Sequence, residues 1–196
     1  MLSGDRQMSR HKQFHLEADI ERRKWQNPEA ILTEIGLRPG MSFIDVGCGN
    51  GFFTLPAAEM VGKTGKVIGI DIDSKWLQIL QQKALEKSLS NLEIILGRAE
   101  ETVPVRKGAD VVFYGMVLHD FDDPDKVLAN AKIMLKKGGT LADLDWVKEE
   151  TPIGPPVEIR FNEQKASSII ERHGFKVVSA TKSNPYHYLI LALLDT

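Results

Sequence analysis

At 196 residues the chain has the size of one α/β domain and can bury a substantial core. With 42% hydrophobic residues, 27% charged residues and a formal net charge of -2, it carries no electrostatic footprint for nucleic acid or a membrane surface. A single cysteine, Cys48, excludes an internal disulfide and a cysteine-cluster metal site, and no apolar run approaches the ~18 residues of a membrane span.

Residues 1–26 form a polar leader, with Arg6, Arg10, Lys12, Arg22, Arg23 and Lys24 interleaved with His11, His15, Phe14 and Trp25. The leader lacks the apolar core of a signal peptide, so a cytoplasmic protein is expected. It either folds over a site as a lid or packs on the surface. Asn27-Pro28 then opens a helix through Ala30, Ile31 and Ile35 that stops at Gly36. Strands are predicted near 42–46, 66–70, 92–96, 110–115 and 139–145. Between them, Leu77, Leu80 and Ala84 share one helix face, and Val127, Leu128, Ala131, Met134 and Leu135 share another. Asp123-Pro124 starts that second helix and Gly138 is expected to end it. A further helix runs from Asn162 to Gly174, and Phe175–Val178 and Tyr188–Leu193 flank Asn184-Pro185 as a hairpin. Five β/α alternations call for a doubly wound, mostly parallel sheet with helices on both faces, closed by a C-terminal antiparallel hairpin strand.

The most informative stretch is Phe43-Ile44-Asp45-Val46-Gly47-Cys48-Gly49-Asn50-Gly51-Phe52, an apolar strand, an acid and three alternating glycines before a helix. Doubly wound folds bind nucleotides at such a junction. Asp45 argues against a pyrophosphate, which a carboxylate at the strand end would repel, and the spacing is G-x-G-x-G rather than G-x-G-x-x-G. A cationic ligand such as S-adenosylmethionine fits. A second strand, Lys66–Ile70, ends in Asp71, about twenty residues past the loop, the offset at which such folds bind ribose hydroxyls. Alternatively Asp71 caps the next helix, a role that Asp73 or Ser74 can also fill.

Over roughly residues 25–194 the chain resembles the class I S-adenosylmethionine-dependent methyltransferases, whose first signature is D-x-G-x-G-x-G. The resemblance implies a Rossmann-like seven-stranded sheet ordered 3-2-1-4-5-7-6, forming a methyltransferase domain over 27–196. It implies S-adenosylmethionine as cofactor and S-adenosylhomocysteine as product. Asp45, Gly47, Cys48, Gly49, Asn50, Gly51 and Phe52 would form the loop against the cofactor, Asp71 would take its ribose hydroxyls, and Ile72 would also contact the cofactor. After the third strand the family commonly has an acid followed by a small residue flanking the adenine. Arg98 stands at the acid's place here, leaving the backbone at Ala99 and the carboxylate of Glu100. Gly115-Met116 resembles the segment beside the methionine moiety. No Asn-Pro-Pro-Tyr type motif is present, so methylation of nucleic-acid bases is not indicated.

His119, just past the fourth strand, is the candidate catalytic residue. It serves either as a general base, with an ordinary pKa near 6.5, or as a loop anchor. Trp25, Asp145 and Arg160 are candidates for the acceptor side. Arg160 follows a Gly154-Pro155-Pro156 segment and binds an anionic acceptor or the cofactor's carboxylate, or else makes a surface salt bridge. No metal is expected, because the five histidines lack a ligand spacing. The reading is a monomeric or homodimeric methyltransferase acting on a small molecule. The alternatives are an RNA or protein methyltransferase and a non-catalytic cofactor-binding subunit that activates a partner.

Overall fold

The computed structural model describes residues 19–194, and the expectations for 1–18 lie outside them. Strands β1 (Ser42–Val46), β2 (Lys66–Asp71), β3 (Leu92–Leu96), β4 (Ala109–Gly115) and β5 (Leu135–Trp146) run parallel. The hairpin of β6 (Phe175–Asn184) and β7 (His187–Leu194) joins them through an antiparallel β5–β7 pairing. The order is β3-β2-β1-β4-β5-β7-β6, as the resemblance implied.

Alternation along the strands feeds two cores. Ile44, Val46, Ile68, Val112 and Tyr114 face Leu128 and Ala131 of α4 (Pro124–Met134) and Ile170 of α5 (Glu163–Arg172). Phe43, Val67, Val111 and Phe113 face Leu32 of α1 (Pro28–Glu34) and Ala57 of α2 (Thr54–Val61). Successive residues of a strand point to opposite faces, so a continuous apolar run such as that of β1 is what a sheet covered on both sides requires.

Side-chain caps set the helix starts. Asn27, Asp123 and Asn162 accept from the N–H groups of Ala30, Lys126 and Lys165. Asp73 accepts from Lys75 N and caps α3 (Ser74–Glu86), so Asp71 is not the cap.

One boundary departs from expectation. Helix α4 stops at Met134, before Gly138, and the chain enters β5 at Leu135. The carbonyls of Ile133 and Met134 accept from the N–H groups of Lys107 and Gly108, and Leu135 is fully buried opposite Ala109. Gly138, at φ 73°, then lies in the irregularity after which β5 re-registers with Val111 opposite Thr140.

Candidate active site

The carboxyl ends of β1, β2, β4 and β5 gather the predicted residues at one edge of the sheet, where open α/β folds bind ligands. Asp45 arrives 1% exposed and accepts a hydrogen bond from Thr54 Oγ1 at 2.6 Å. Burial pushes its carboxyl up to about 7, against the Thr54 hydrogen bond, while Asp71 raises it further and Arg22 lowers it.

The loop after β1 turns on Gly47, Gly49 and Gly51, at φ 79°, 52° and 89°. A Cβ at Gly47 would meet Val117 at 2.7 Å, and one at Gly51 would strike Leu80 and Leu55. One at Gly49 meets no atom within 4 Å among the described residues beyond its chain neighbours. The loop's N–H groups point inward. Gly47 N and Cys48 N both donate to Ile70 O, Gly51 N to Cys48 O, and Gly49 N to Asp71 Oδ2 at 2.8 Å. A phosphate cradle needs such donors open to its anion, and these four are already engaged. The Cys48 thiol is buried and raised in pKa by desolvation, so it is no nucleophile.

Beside this loop is a cleft of about 220 Å³ bounded by Asp71, Ile72, Ala99, Glu100, Val117 and Phe121. Ile72 is 63% exposed, a large apolar side chain at its rim. Arg98 turns outward to Asp122 at 2.6 Å and lies 3.6 Å from Glu100. Asn130, a residue the sequence reading passed over, donates to the carbonyls of Ala99 and Glu100, both at 2.9 Å. Its signal was available: a polar residue on the α4 face that buries Val127, Ala131 and Met134.

Past Gly115, Met116 holds a left-handed φ of 64°, uncommon for a residue with a side chain, and its N–H donates to Leu144 O at 2.7 Å. His119 Nδ1 lies 2.8 Å from Asp145 Oδ1, and both side chains are 1% exposed. His119 Nε2 is 3.3 Å from Asp120 Oδ1, close enough for ion pairing but off hydrogen-bond alignment. Burial works to lower the His119 pKa, but the hydrogen bond and charge of Asp145, with Asp120, prevail and raise it.

The three acceptor-side candidates make the following contacts. Asp145 faces His119 and its own chain, accepting from Trp146 N at 2.7 Å, rather than an open pocket. Arg160 is 2% exposed and donates to the carbonyls of Val147, Glu149 and Pro155 and to Thr151 Oγ1. The expected anion contact and surface salt bridge both give way to a strut inside the loop after β5, because a guanidinium buried there has carbonyls as its available acceptors. Trp25 stacks on His187 (centroids 5.6 Å, planes 12° apart) and tilts against Trp146 at 6.0 Å. Among the described residues no three His, Cys, Asp or Glu side chains are grouped to hold a metal, and no helix is long and apolar enough to cross a membrane.

A family profile described as a methyltransferase domain matches residues 37–187. The chain belongs to this family, the class I S-adenosylmethionine-dependent methyltransferases. Among solved structures of methyltransferases, a SAM-dependent methyltransferase from Aquifex aeolicus is 31% identical with a TM-score of 0.84, covering 88% of this chain and 92% of that one. The demethylmenaquinone methyltransferase of Lactococcus lactis is 34% identical over 123 residues, covering 62% of this chain and 48% of that protein. That of Oceanobacillus iheyensis is 32% identical over 123 residues, covering 63% and 51%. The chain thus spans about half the length of these curated relatives.

Proposed function

We propose that this chain transfers a methyl group from S-adenosylmethionine to a small-molecule acceptor. The observation that carries the reading is a glycine loop whose Gly47, Cys48, Gly49 and Gly51 N–H groups are turned inward, with the Asp71 carboxylate beside it and Asp45 buried beneath it. Such a surface suits a cation and a ribose and disfavours a pyrophosphate. Family membership supports the same ligand.

Asp71 would accept from the ribose hydroxyls, its carboxylate already oriented by the N–H groups of Gly49 and Asp73. Ile72 would cover one face of the adenine, with Ala99 and Glu100 at its edge. Asn130 would position those two by holding their carbonyls. The bare Cα of Gly49, between Cys48 and Asn50, allows close approach of the ligand, and Phe52, Gly115 and Met116 would flank the methionine moiety. When bound, the cofactor supplies an electrophilic methyl on a sulfonium.

His119 serves better as an anchor than as a base. His119 is held through Nδ1 by Asp145 and its Nε2 is buried, so the ring is poorly placed to reach a proton on an acceptor. The protein's contribution is then alignment and exclusion of water. The demethylmenaquinone methyltransferase relatives and the aromatic group of Trp25, Trp146 and Tyr186 support a small, largely apolar acceptor.

Calorimetry tests the cofactor: S-adenosylmethionine and S-adenosylhomocysteine should bind, and NAD should not. Tighter NAD binding would overturn the reading. Labelled methyl transfer into metabolite and RNA pools then identifies the acceptor. Tight cofactor binding with no transfer to any pool would favour the non-catalytic subunit.

A further inference from the structure

The described part of the N-terminal segment, residues 19–26, lies across the glycine loop and is fastened at both ends. Asp19 accepts from Lys83 Nζ at 2.6 Å and from Asn50 Nδ2 at 3.0 Å, with the Asp19 and Lys83 side chains each 19% exposed. Trp25 is stacked on His187 at the other end. Between these fastenings, the Arg22 guanidinium rests 3.9 Å from the centre of the Phe52 ring. Its Nε donates to Gln26 Oε1 at 2.7 Å and its Nη2 to Met116 Sδ at 3.7 Å, while Gln26 Nε2 donates to the same sulfur at 3.5 Å.

Apart from the Gln26 amide oxygen, these are weak partners for a half-buried cation. A thioether is a poor acceptor and an aromatic ring offers only its quadrupole. Among the described residues no carboxylate lies within ion-pair distance of Arg22, and Asp19 and Asp45 act on it only at longer range. Burial lowers its pKa to about 10, the cost of holding a charge out of water showing directly. A guanidinium is also a planar fork that matches a carboxylate with two parallel hydrogen bonds.

Its location selects the anion. Phe52 and Met116, two of the side chains it touches, bracket the methionine end of the proposed ligand, and the adenosine cleft lies beyond Gly47 and Val117. That end of S-adenosylmethionine carries an α-carboxylate. We infer that Arg22 receives the α-carboxylate of the cofactor's methionine moiety, which makes segment 19–26 part of the cofactor site. This rests on the proposed cofactor and adds to it a binding residue outside the β1 loop.

The test is calorimetric and needs no acceptor. Wild type and Arg22→Gln are titrated with S-adenosylhomocysteine, with its methyl ester, which keeps the ammonium but not the carboxylate charge, and with 5′-methylthioadenosine, which lacks both groups. Wild type should prefer the acid over the ester by roughly tenfold to a hundredfold, the strength of a charge-assisted hydrogen bond. Arg22→Gln should erase that preference by weakening the acid alone, leaving 5′-methylthioadenosine unchanged as proof of an intact cleft. Should Arg22→Gln fail to fold, Arg22→Lys should retain only part of the preference, since an ammonium cannot form the bidentate pair. An undiminished preference in the variants, or no preference in wild type, overturns the inference while leaving the cofactor assignment standing. Failure of wild type to bind any of the three compounds overturns the cofactor assignment and this inference together.

Discussion

The backbone N–H of Gly49 donates to Asp71 Oδ2 at 2.8 Å, joining the middle of the glycine loop to the acid that ends β2. The other Asp71 oxygen accepts from Asp73 N at 2.8 Å, so both are oriented by the main chain. Asp71→Ala should therefore remove a charged acceptor and untie the loop at once. The expected fall in S-adenosylhomocysteine affinity is roughly tenfold to a hundredfold, for a lost interaction of about 1.5–3 kcal/mol, read by calorimetry. Unchanged affinity in a folded variant would take Asp71 out of the site.

The three loop glycines should separate under substitution. Gly49→Ala adds a methyl that meets no atom among the described residues beyond its chain neighbours, so its cost to folding is the left-handed φ of 52°, about 1–2 kcal/mol. Its main effect should be on cofactor binding. Gly51→Ala drives a Cβ into Leu80 and Leu55 and should destabilise the fold more, through overpacking on top of the same backbone strain. Thermal melts and calorimetry on both variants make the comparison. A Gly49→Ala protein that binds with full affinity would place the loop away from the ligand.

His119 makes stability pH-dependent in a definite direction. Its folded pKa is raised above the ordinary value of about 6.5, because the Asp145 hydrogen bond and charge outweigh burial. The charged imidazole thus contributes fully below about pH 6.5, and that contribution is lost as pH rises through the folded pKa. His119→Gln should be destabilised by about 1.5–3 kcal/mol near pH 6, with the gap from wild type closing in alkaline solution. If His119 is an anchor, turnover should fall modestly with an unchanged pH profile. A loss of about a hundredfold or more, with an altered profile, would restore it as the base.

Asp143 lies fully buried on β5 beside Asp145, and among the described residues neither of its carboxyl oxygens has a hydrogen-bond partner. Burial, and then the charge of Asp145, hold its pKa well above the usual carboxylate range. The folded state keeps this proton while the unfolded chain releases it above about pH 4, so stability declines as pH rises past that value. Asp143→Asn abolishes this decline, which for one group is at most about 1.4 kcal/mol per pH unit. The Tm advantage of the variant should widen as pH rises above about 4. Parallel curves for the two proteins would mean that Asp143 is ionised when folded.

Element type and order were legible because they depend on local signals: apolar runs for β1 and β2, Asn27-Pro28 and Asp123-Pro124 for helix starts, and alternating glycines for the loop. The α4–β5 boundary was less so, since Leu135 leaves the helix to be buried against Ala109, a residue 26 positions earlier. Side-chain partners were beyond local reach. Asp145 and Arg160 read as acceptor contacts because nothing near them in sequence reveals that one pairs with His119 and the other with carbonyls of its own loop.

By itself, the chain's pattern of Asp45, Gly47, Gly49, Gly51 and Asp71 determined an α/β sheet with a glycine loop and an acid at the ends of two strands, and so the kind of ligand to propose. Backbone freedom and charge at a strand end are properties that residues carry wherever the fold places them. Only the tertiary structure decided which groups are engaged and which are left to act: loop N–H groups turned toward Ile70, Cys48 and Asp71, His119 locked to Asp145, Asn130 under the Ala99 and Glu100 carbonyls, and Arg22 laid over Phe52. Each of these is a contact between segments distant in sequence, formed when the sheet closes, and hydrogen bonds and charges gain their strength from the burial that closure brings.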